Sequence, residues 1–270
     1  MPRHAMTELH VAGHFGEWMQ GRIGPDGPVA LITLPCAALD VSLWHRPAPQ
    51  GLRLHAVGLS AQEARHFLAT LGLRLRGVVG MRARSKLGFG TGVSSARLVA
   101  LARLAGWQGT PHDLARACVA FEGASDPLAF DAPSRLLWAS RLGVRLAELP
   151  ALPRYEILGG FLGGPTWTDP QDQAFPDIAD LIAPWMQARN LRDVATLASE
   201  SAARCQAMRG PAGDPTPGLA RDLGALGWLR AHTGAARGLI FAPGTVPRGA
   251  HDALRAAGLR ALVRFRGGER

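Results

Sequence analysis

Lysine is almost missing from this chain: the 30 Lys and Arg residues are all arginine except Lys86, set against 21 Asp and Glu. The resulting formal charge of +9 raises the question of a nucleic-acid partner, because clustered cations gain affinity for phosphates by releasing counterions. Such clusters are lacking. The densest group, Arg74, Arg76, Arg82 and Arg84, is not interleaved with aromatics that could stack on bases, so no nucleic-acid partner is expected. Cysteine is scarce as well. Cys36, Cys118 and Cys205 are odd in number and widely scattered, which argues against a disulfide scaffold and against metal-ligand spacing; buried free thiols are expected. No apolar run approaches the roughly 18 residues of a membrane span, and Met1 to Met6 carry no signal-peptide hydrophobic region. A cytoplasmic protein with no membrane partner is expected. There is no internal repeat, and 270 residues suffice for two domains with separate cores.

What the chain does have is glycine in an informative place. Lys86-Leu87-Gly88-Phe89-Gly90-Thr91-Gly92-Val93-Ser94-Ser95-Ala96 runs a glycine-rich turn into a helix beginning near Ser95, whose apolar positions Ala96, Val99, Leu101, Ala102, Leu104 and Ala105 stop at Gly106. Alternate glycines leave backbone N–H groups uncovered, and the helix start adds unpaired donors and the positive end of its dipole. In outline this is a phosphate cradle. It matches neither of the two common phosphate-loop patterns, and a glycine-rich turn without a ligand is the alternative.

Around it, strand-like and helical segments alternate. Leu9 to Val11, Val29 to Leu34, Leu39 to Trp44, Leu52 to Val57 and Val78 to Arg84 read as strands. Ala61 to Leu71 reads as a helix with Ser60 and Glu63 in capping-box spacing, and Thr110 or Pro111 starts another helix that ends at Glu122-Gly123. The proline-bearing segment Leu149 to Arg154 is the expected domain boundary, giving domains 1–150 and 151–270. Beyond it, Tyr155 to Leu158 reads as a strand, Ile178 to Asn190 and Leu191 to Met208 as helices, and Gly210 to Pro215 as an exposed loop. A strand at Gly238 to Phe241, a helix at Gly249 to Ala257 and a strand at Ala261 to Phe265 close an α+β half.

Two further glycine-bearing segments complete a set with the serine loop: Val11-Ala12-Gly13-His14-Phe15-Gly16-Glu17-Trp18-Met19-Gln20-Gly21 and His232-Thr233-Gly234-Ala235-Ala236-Arg237-Gly238. Together the three resemble the GHMP kinases, the superfamily of galactokinase, homoserine kinase and mevalonate kinase. The first is similar to the G-x-x-G-E-x-x-Q-G signature of the branch that contains the L-threonine kinases of cobalamin biosynthesis and propanediol utilisation. Ile32-Thr33-Leu34-Pro35-Cys36 is similar to the short strand and turn that follow it there. The resemblance spans nearly the whole chain in the right order. It implies an α+β, two-domain GHMP-kinase fold, with a left-handed βαβ crossover in the N-terminal domain, a ferredoxin-like C-terminal domain and ATP in the cleft between them. It implies a phosphotransferase that uses ATP and Mg²⁺ on a small hydroxyl-bearing substrate, with L-threonine as the expected acceptor. Homoserine or a cobalamin precursor is the alternative acceptor, and a nucleotide-binding regulator without catalysis the alternative class. Oligomeric state is left open, a homodimer included.

Carried onto this sequence, Lys86, Gly88, Gly90, Thr91, Gly92, Val93, Ser94 and Ser95 would bind the nucleotide, and Ser94 or Ser95 would give a hydroxyl to Mg²⁺. This chain carries one residue more than the family's G-L-G-S-S-A motif in Gly90-Thr91-Gly92-Val93-Ser94-Ser95-Ala96, and Ser95 is favoured. Glu122 would complete the metal shell. Asp126, four residues on, would act as a base or orient the substrate, which gives Ser95, Glu122 and Asp126 as the catalytic set. Glu17 and Gln20, projecting from a turn between Gly16 and Gly21, would hold a substrate ammonium group. His232 and Thr233 would contact its carboxylate or hydroxyl, with Gly234 allowing close approach. His14 falls at a variable position of the signature and is given no role. Arg97 stands where the family commonly has an acidic residue, placed either to contact nucleotide phosphates or to mark a different substrate.

Overall fold

A computed structural model describes residues 7–56 and 58–269. The N-terminal residues Met1 to Met6 and Val57, the last residue of one expected strand, lie outside the described part. The chain opens with a long antiparallel pair, β1 (Thr7–Arg22) against β2 (Val29–Gly51). β2 then pairs with β4 (Arg76–Ala83), which takes the short β3 (Arg53–His55) in parallel on its far side. Between β3 and β4 runs α1 (Ala61–Thr70), started by the capping box its sequence announces. The Glu63 N–H donates to Ser60 Oγ at 3.1 Å and the Ser60 N–H to Glu63 Oε2 at 2.7 Å.

β4 leads through the glycine loop into α2 (Val93–Leu104), two residues earlier than the sequence suggests. Next comes α3 (Pro111–Glu122), with Thr110 as N-cap and Gly123 closing it at φ 79°. Leu98, Val99 and Leu101 of α2 and Leu114 and Cys118 of α3 pack with Phe67 of α1 over Val41, Leu43 and Val79 of the sheet. A short hairpin, β5 (Leu136–Ala139) and β6 (Val144–Glu148), follows before the irregular stretch around Pro150 and Pro153.

The remaining strands are β7 (Tyr155–Phe161), β8 (Gly227–Arg230), β9 (Ala236–Phe241) and β10 (Arg260–Gly267). The helices α4 (Ala179–Gln187), α5 (Leu191–Arg209) and α6 (Thr216–Asp222) lie between β7 and β8, and α7 (Ala250–Ala256) between β9 and β10. The spatial order β10-β7-β9-β8, antiparallel throughout, is the ferredoxin-like arrangement the family resemblance implies. β8 meets β1 at a single residue pair, Glu17 opposite Arg230, so one continuous sheet carries both halves with β1 in its middle.

The structure corrects three sequence expectations, two of them through the central position of β1. Gly16 to Gly21 is not a turn: every residue from Gly13 to Gly21 is buried inside β1. Pro35-Cys36 does not end a strand either, because β2 continues. The register steps from Gly13 opposite Cys36 to Val11 opposite Val41, and the surplus residues of β2 are absorbed in a bulge. In the loop read as exposed, Pro211 to Gly213 face solvent but the Asp214 side chain turns inward onto Arg237. The hairpin β5–β6, β8 and α6 are short elements that the sequence pattern does not reveal. The three cysteines are buried and free, as expected. No helix among the described residues is long and apolar enough to cross a membrane.

The second half also carries a buried acid, Glu156 on β7. Burial opposes its ionisation, but hydrogen bonds from Arg264, the Gly244 N–H and Arg266 prevail and lower its pKa to about 2. A depressed carboxylate adds stability above its unfolded value, and that stability disappears as pH falls through the folded one. Glu156→Gln is therefore expected to be less stable than the wild type at neutral pH, with the gap closing between about pH 4.5 and about pH 2. Thermal melts across that range check it; a gap that persists unchanged at the acid end would overturn the assignment.

Candidate active site

The glycine loop takes its shape from three left-handed residues, Gly88, Gly90 and Gly92, at φ 81°, 72° and 67°. Its neighbours are the two other glycine-bearing segments. A Cβ on Gly90 would meet the Cβ of Ala231 at 2.5 Å, and one on Gly234 would meet the Phe89 carbonyl carbon at 2.5 Å. A Cβ on Gly92 would lie 2.8 Å from His14 Nε2, while the His14 N–H donates to the Thr91 carbonyl at 3.1 Å. Segments from β1, from the loop before α2 and from the β8–β9 turn thus close on one another with no room for side chains. Beside them opens a cleft of about 390 Å³, lined among others by Lys86, Gly90, Ser94, Glu122, Asp126 and Arg141.

α2 begins at Gly92 without any side-chain cap, so its first N–H groups and the positive end of its dipole face that cleft unspent. The two serines of its first turn have different partners. Ser94 Oγ donates to Glu122 Oε1 at 2.5 Å. Ser95 Oγ accepts from the Asp126 N–H at 2.8 Å and from Ser125 Oγ at 3.1 Å, and lies 3.4 Å from Asp126 Oδ2. The expected pairing of Ser95 with Glu122 therefore gives way to Ser94 with Glu122, because Ser95 points to the loop after α3 and pins Asp126. Arg97, one turn further along α2, donates to Glu122 Oε1 at 2.7 Å, approaches Ser94 Oγ at 3.4 Å and donates to the Gly58 carbonyl.

Asp126 has a second partner that the sequence reading left without a role. His14 Nε2 lies 3.2 Å from Asp126 Oδ2, and His14 Nδ1 faces the Gly16 carbonyl at 3.2 Å and Glu17 Oε1 at 3.7 Å. Burial pulls the imidazole toward neutrality. The Asp126 and Glu17 carboxylates outweigh it and raise the His14 pKa to about 9. The same imidazolium, helped by Ser95 and Arg141, holds Asp126 below the ordinary carboxylate range against its own burial. Glu17 moves the other way, up to about 7, because burial and the Asp126 charge outweigh what His14 and the His232 N–H give it. The result is an ionised aspartate and a charged histidine on the floor of the cleft at neutral pH.

On the opposite wall, His232 is buried and stacks on Phe175 with ring centroids 4.0 Å apart. Its backbone N–H donates to Glu17 Oε2 at 2.6 Å, and Arg141 Nη1 lies 3.3 Å from the ring Nε2. A guanidinium can only donate, so Nε2 is the acceptor and the ring is neutral. Burial together with Arg141 and Arg209 pushes its pKa well below the usual value. Arg141 lines the cleft, donates to the Pro170 carbonyl at 3.2 Å and to Ser140 Oγ at 3.2 Å, and has no ion-pair partner among the described residues. Thr233 Oγ1 meets Thr168 Oγ1 at 2.7 Å. Gln20 does not reach this wall. It is buried beside β8, where its amide donates to the Arg230 carbonyl at 3.0 Å and its backbone pairs with Ser201, so its place is to tie β1 to β8 and α5. Gly234 likewise meets the loop at Phe89 and Gly90 rather than the open cleft.

No family model and no curated protein sequence matches the chain. Solved structures do. Phosphomevalonate kinase of Streptococcus pneumoniae superposes with a TM-score of 0.68 at 12% identity, covering 98% of this chain and 100% of that one. Mevalonate kinase of Methanococcus jannaschii gives 0.64 at 10% identity over 98% of both chains. A putative homoserine kinase of Listeria monocytogenes gives 0.60 at 16% identity over 98% and 100%. The fold is that of the GHMP kinases.

Within this GHMP-kinase fold, the donors of the α2 start suit a polyphosphate, and one feature suits the divalent ion that accompanies it. Glu122 Oε2 is buried with no hydrogen-bond partner among the described residues, while Ser94 Oγ sits on the other oxygen of the same carboxylate. Oxygen donors of this kind are what Mg²⁺ takes. His14, Arg97 and Arg141 are the polar groups that the sequence reading of the site left unused or undecided. The signal for His14 was available in one form: β1 carries titratable residues through a run that is apolar enough for a central strand, where every such group needs a buried partner.

Proposed function

We propose that the protein is an ATP-dependent small-molecule kinase that transfers the γ-phosphoryl group to a substrate hydroxyl. One observation carries the reading: an uncapped helix start behind a left-handed glycine loop shares a cleft with an ionised, histidine-paired aspartate. Phosphoryl transfer asks little covalent chemistry of a protein and much positioning and charge placement. The loop N–H groups from Gly90 to Val93 and Lys86 would cradle the phosphates. Asp126, held in place by Ser95 and His14, would orient the acceptor hydroxyl and take its proton. Ser94 and Glu122 would hold Mg²⁺, which when bound offsets charge on the phosphate oxygens. Residues 1–150 would form the nucleotide-binding domain and 151–270 the second domain, in a cytoplasmic protein.

We infer L-threonine as the acceptor. Glu17 offers a carboxyl group for its ammonium group, which would favour the ionised form of that carboxyl; Arg141, held by hydrogen bonds but without an ion-pair partner among the described residues, offers with His232 and Thr233 beside it a cationic corner for its carboxylate. Homoserine fits the same corners, and the resemblance to a homoserine kinase structure keeps it as the second acceptor. ADP release with Mg-ATP and L-threonine, L-serine, L-homoserine or no acceptor tests the reading. Threonine-dependent turnover supports it, activity with another acceptor replaces the substrate alone, and silence with retained ATP binding favours a nucleotide-binding regulator.

The two serines separate under substitution. Ser94→Ala is expected to lower turnover by about 10²-fold and to raise the Mg²⁺ concentration needed for half-maximal rate. Ser95→Ala, which frees Asp126, is expected to lower turnover with little change in Mg²⁺ requirement. Magnesium titrations of the two variants check it, and the reverse pattern would restore Ser95 as the metal serine.

A further inference from the structure

We propose that Arg97 is a resident cation on Glu122 that lets the site take a nucleoside triphosphate without a divalent ion, and that Mg²⁺ competes with it for Glu122 and Ser94. The inference rests on the nucleotide reading of the cleft. Arg97 lies on α2 three residues after Ser94, on the same helix face. Its guanidinium reaches both groups assigned to the metal, at 2.7 Å from Glu122 Oε1 and 3.4 Å from Ser94 Oγ, and is fixed from the other side by the Gly58 carbonyl. It is 8% exposed, so this geometry is built into the packing and is not a surface encounter. Its Nε has no partner among the described residues, and neither does Glu122 Oε2.

The consequence is electrostatic. A carboxylate that already has a guanidinium against one oxygen has less negative potential to offer a second cation, and a divalent ion on the other oxygen would be held beside a positive charge. Arg97 lines the same cleft as Lys86 and the loop, and its planar, multiply donating head is suited to phosphate oxygens. A triphosphate entering the cleft therefore finds Arg97, Lys86 and the helix start already assembled. Mg²⁺ arriving with it must displace Arg97 from Ser94 and Glu122 or stay on the phosphates.

The test is equilibrium binding of ATP, by calorimetry, in excess EDTA and in excess Mg²⁺. The wild type is expected to bind with affinities that agree within about threefold in the two conditions. Arg97→Met should lose about tenfold in EDTA and recover most of it in Mg²⁺, whereas Arg97→Lys should fall between. A wild type that loses tenfold or more in EDTA overturns the inference and leaves the nucleotide reading intact. So does an Arg97→Met protein whose binding in EDTA is unchanged. Absence of ATP binding in every condition overturns both. The wild-type comparison needs no substitution, so a poorly folding variant does not decide the matter.

Discussion

Asp126→Asn will lower turnover with the best acceptor by about 10²- to 10⁴-fold, the range over which positioned acid–base groups act. The same substitution will change His14. Its pKa of about 9 is upheld chiefly by Asp126, so removing that charge lets burial prevail and the imidazole gives up its proton at lower pH. NMR titration of the His14 ring reads this directly and independently of activity. Linkage adds a stability signature. A histidine with a raised folded pKa contributes stability that is complete below its ordinary value near 6.5 and is lost as pH rises through about 9. Wild type should lose stability across that interval, and Asp126→Asn should show less of the slope. In the converse variant, His14→Gln, Asp126 loses its main counter-charge, its pKa rises, and the acid limb of the rate profile moves to higher pH. A His14 ring that titrates identically in wild type and Asp126→Asn would overturn the pairing.

The second large effect concerns stability alone. Asp214 Oδ2 and Arg237 Nε meet at 2.6 Å with their side chains 1% and 3% exposed. Asp214 Oδ1 also accepts from the Thr216 N–H and hydroxyl, and Arg237 donates to the Gly234 and Ala236 carbonyls. Asp214→Ala leaves a guanidinium buried without its counter-ion, which costs about 3–5 kcal/mol. Replacing both members with apolar residues, Asp214→Leu with Arg237→Met, should recover part of the loss, since a buried ion pair often does little better than packing. Denaturant unfolding measures both; a loss below about 1 kcal/mol in the single variant would mean that the pair is not buried in solution. Because Arg237 holds the Gly234 carbonyl, the variant should also weaken nucleotide binding.

Legibility of the sequence varied with how local the signal was. Ser60 with Glu63, Thr110 with Pro111, and the alternate glycines of the serine loop each act within a few residues, and each stands where the pattern places it. β1 is the contrary case. Its glycines, His14, Glu17 and Gln20 look like a polar turn until the strand is known to run through the middle of a sheet with β2 on one side and β8 on the other. Those neighbours come from positions far along the chain. The charge of buried His14 depends on Asp126, more than a hundred positions along the chain, and the local pattern that calls for a buried partner does not say which residue supplies it. The side-chain partners of Ser94 and Ser95 were illegible for a related reason, since the direction of each hydroxyl is set by where α2 begins and by where Glu122 and Asp126 sit after α3.

The meeting of Gly90 with Gly234, and of Gly92 with His14, has a consequence for how the protein comes to be made. Contacts of such long sequence separation form late, after the entropy of closing large loops has been met. The cradle is absent from any nascent chain that has not yet produced the β8–β9 turn, and a chain cut at the proline-bearing stretch near residue 150 lacks one wall of it. A ligand that recognises the closed cradle therefore binds the finished chain and not its intermediates, and by mass action draws the population toward the complete fold. Occupancy of the cleft would report on folding of the whole molecule as much as on any single residue within it.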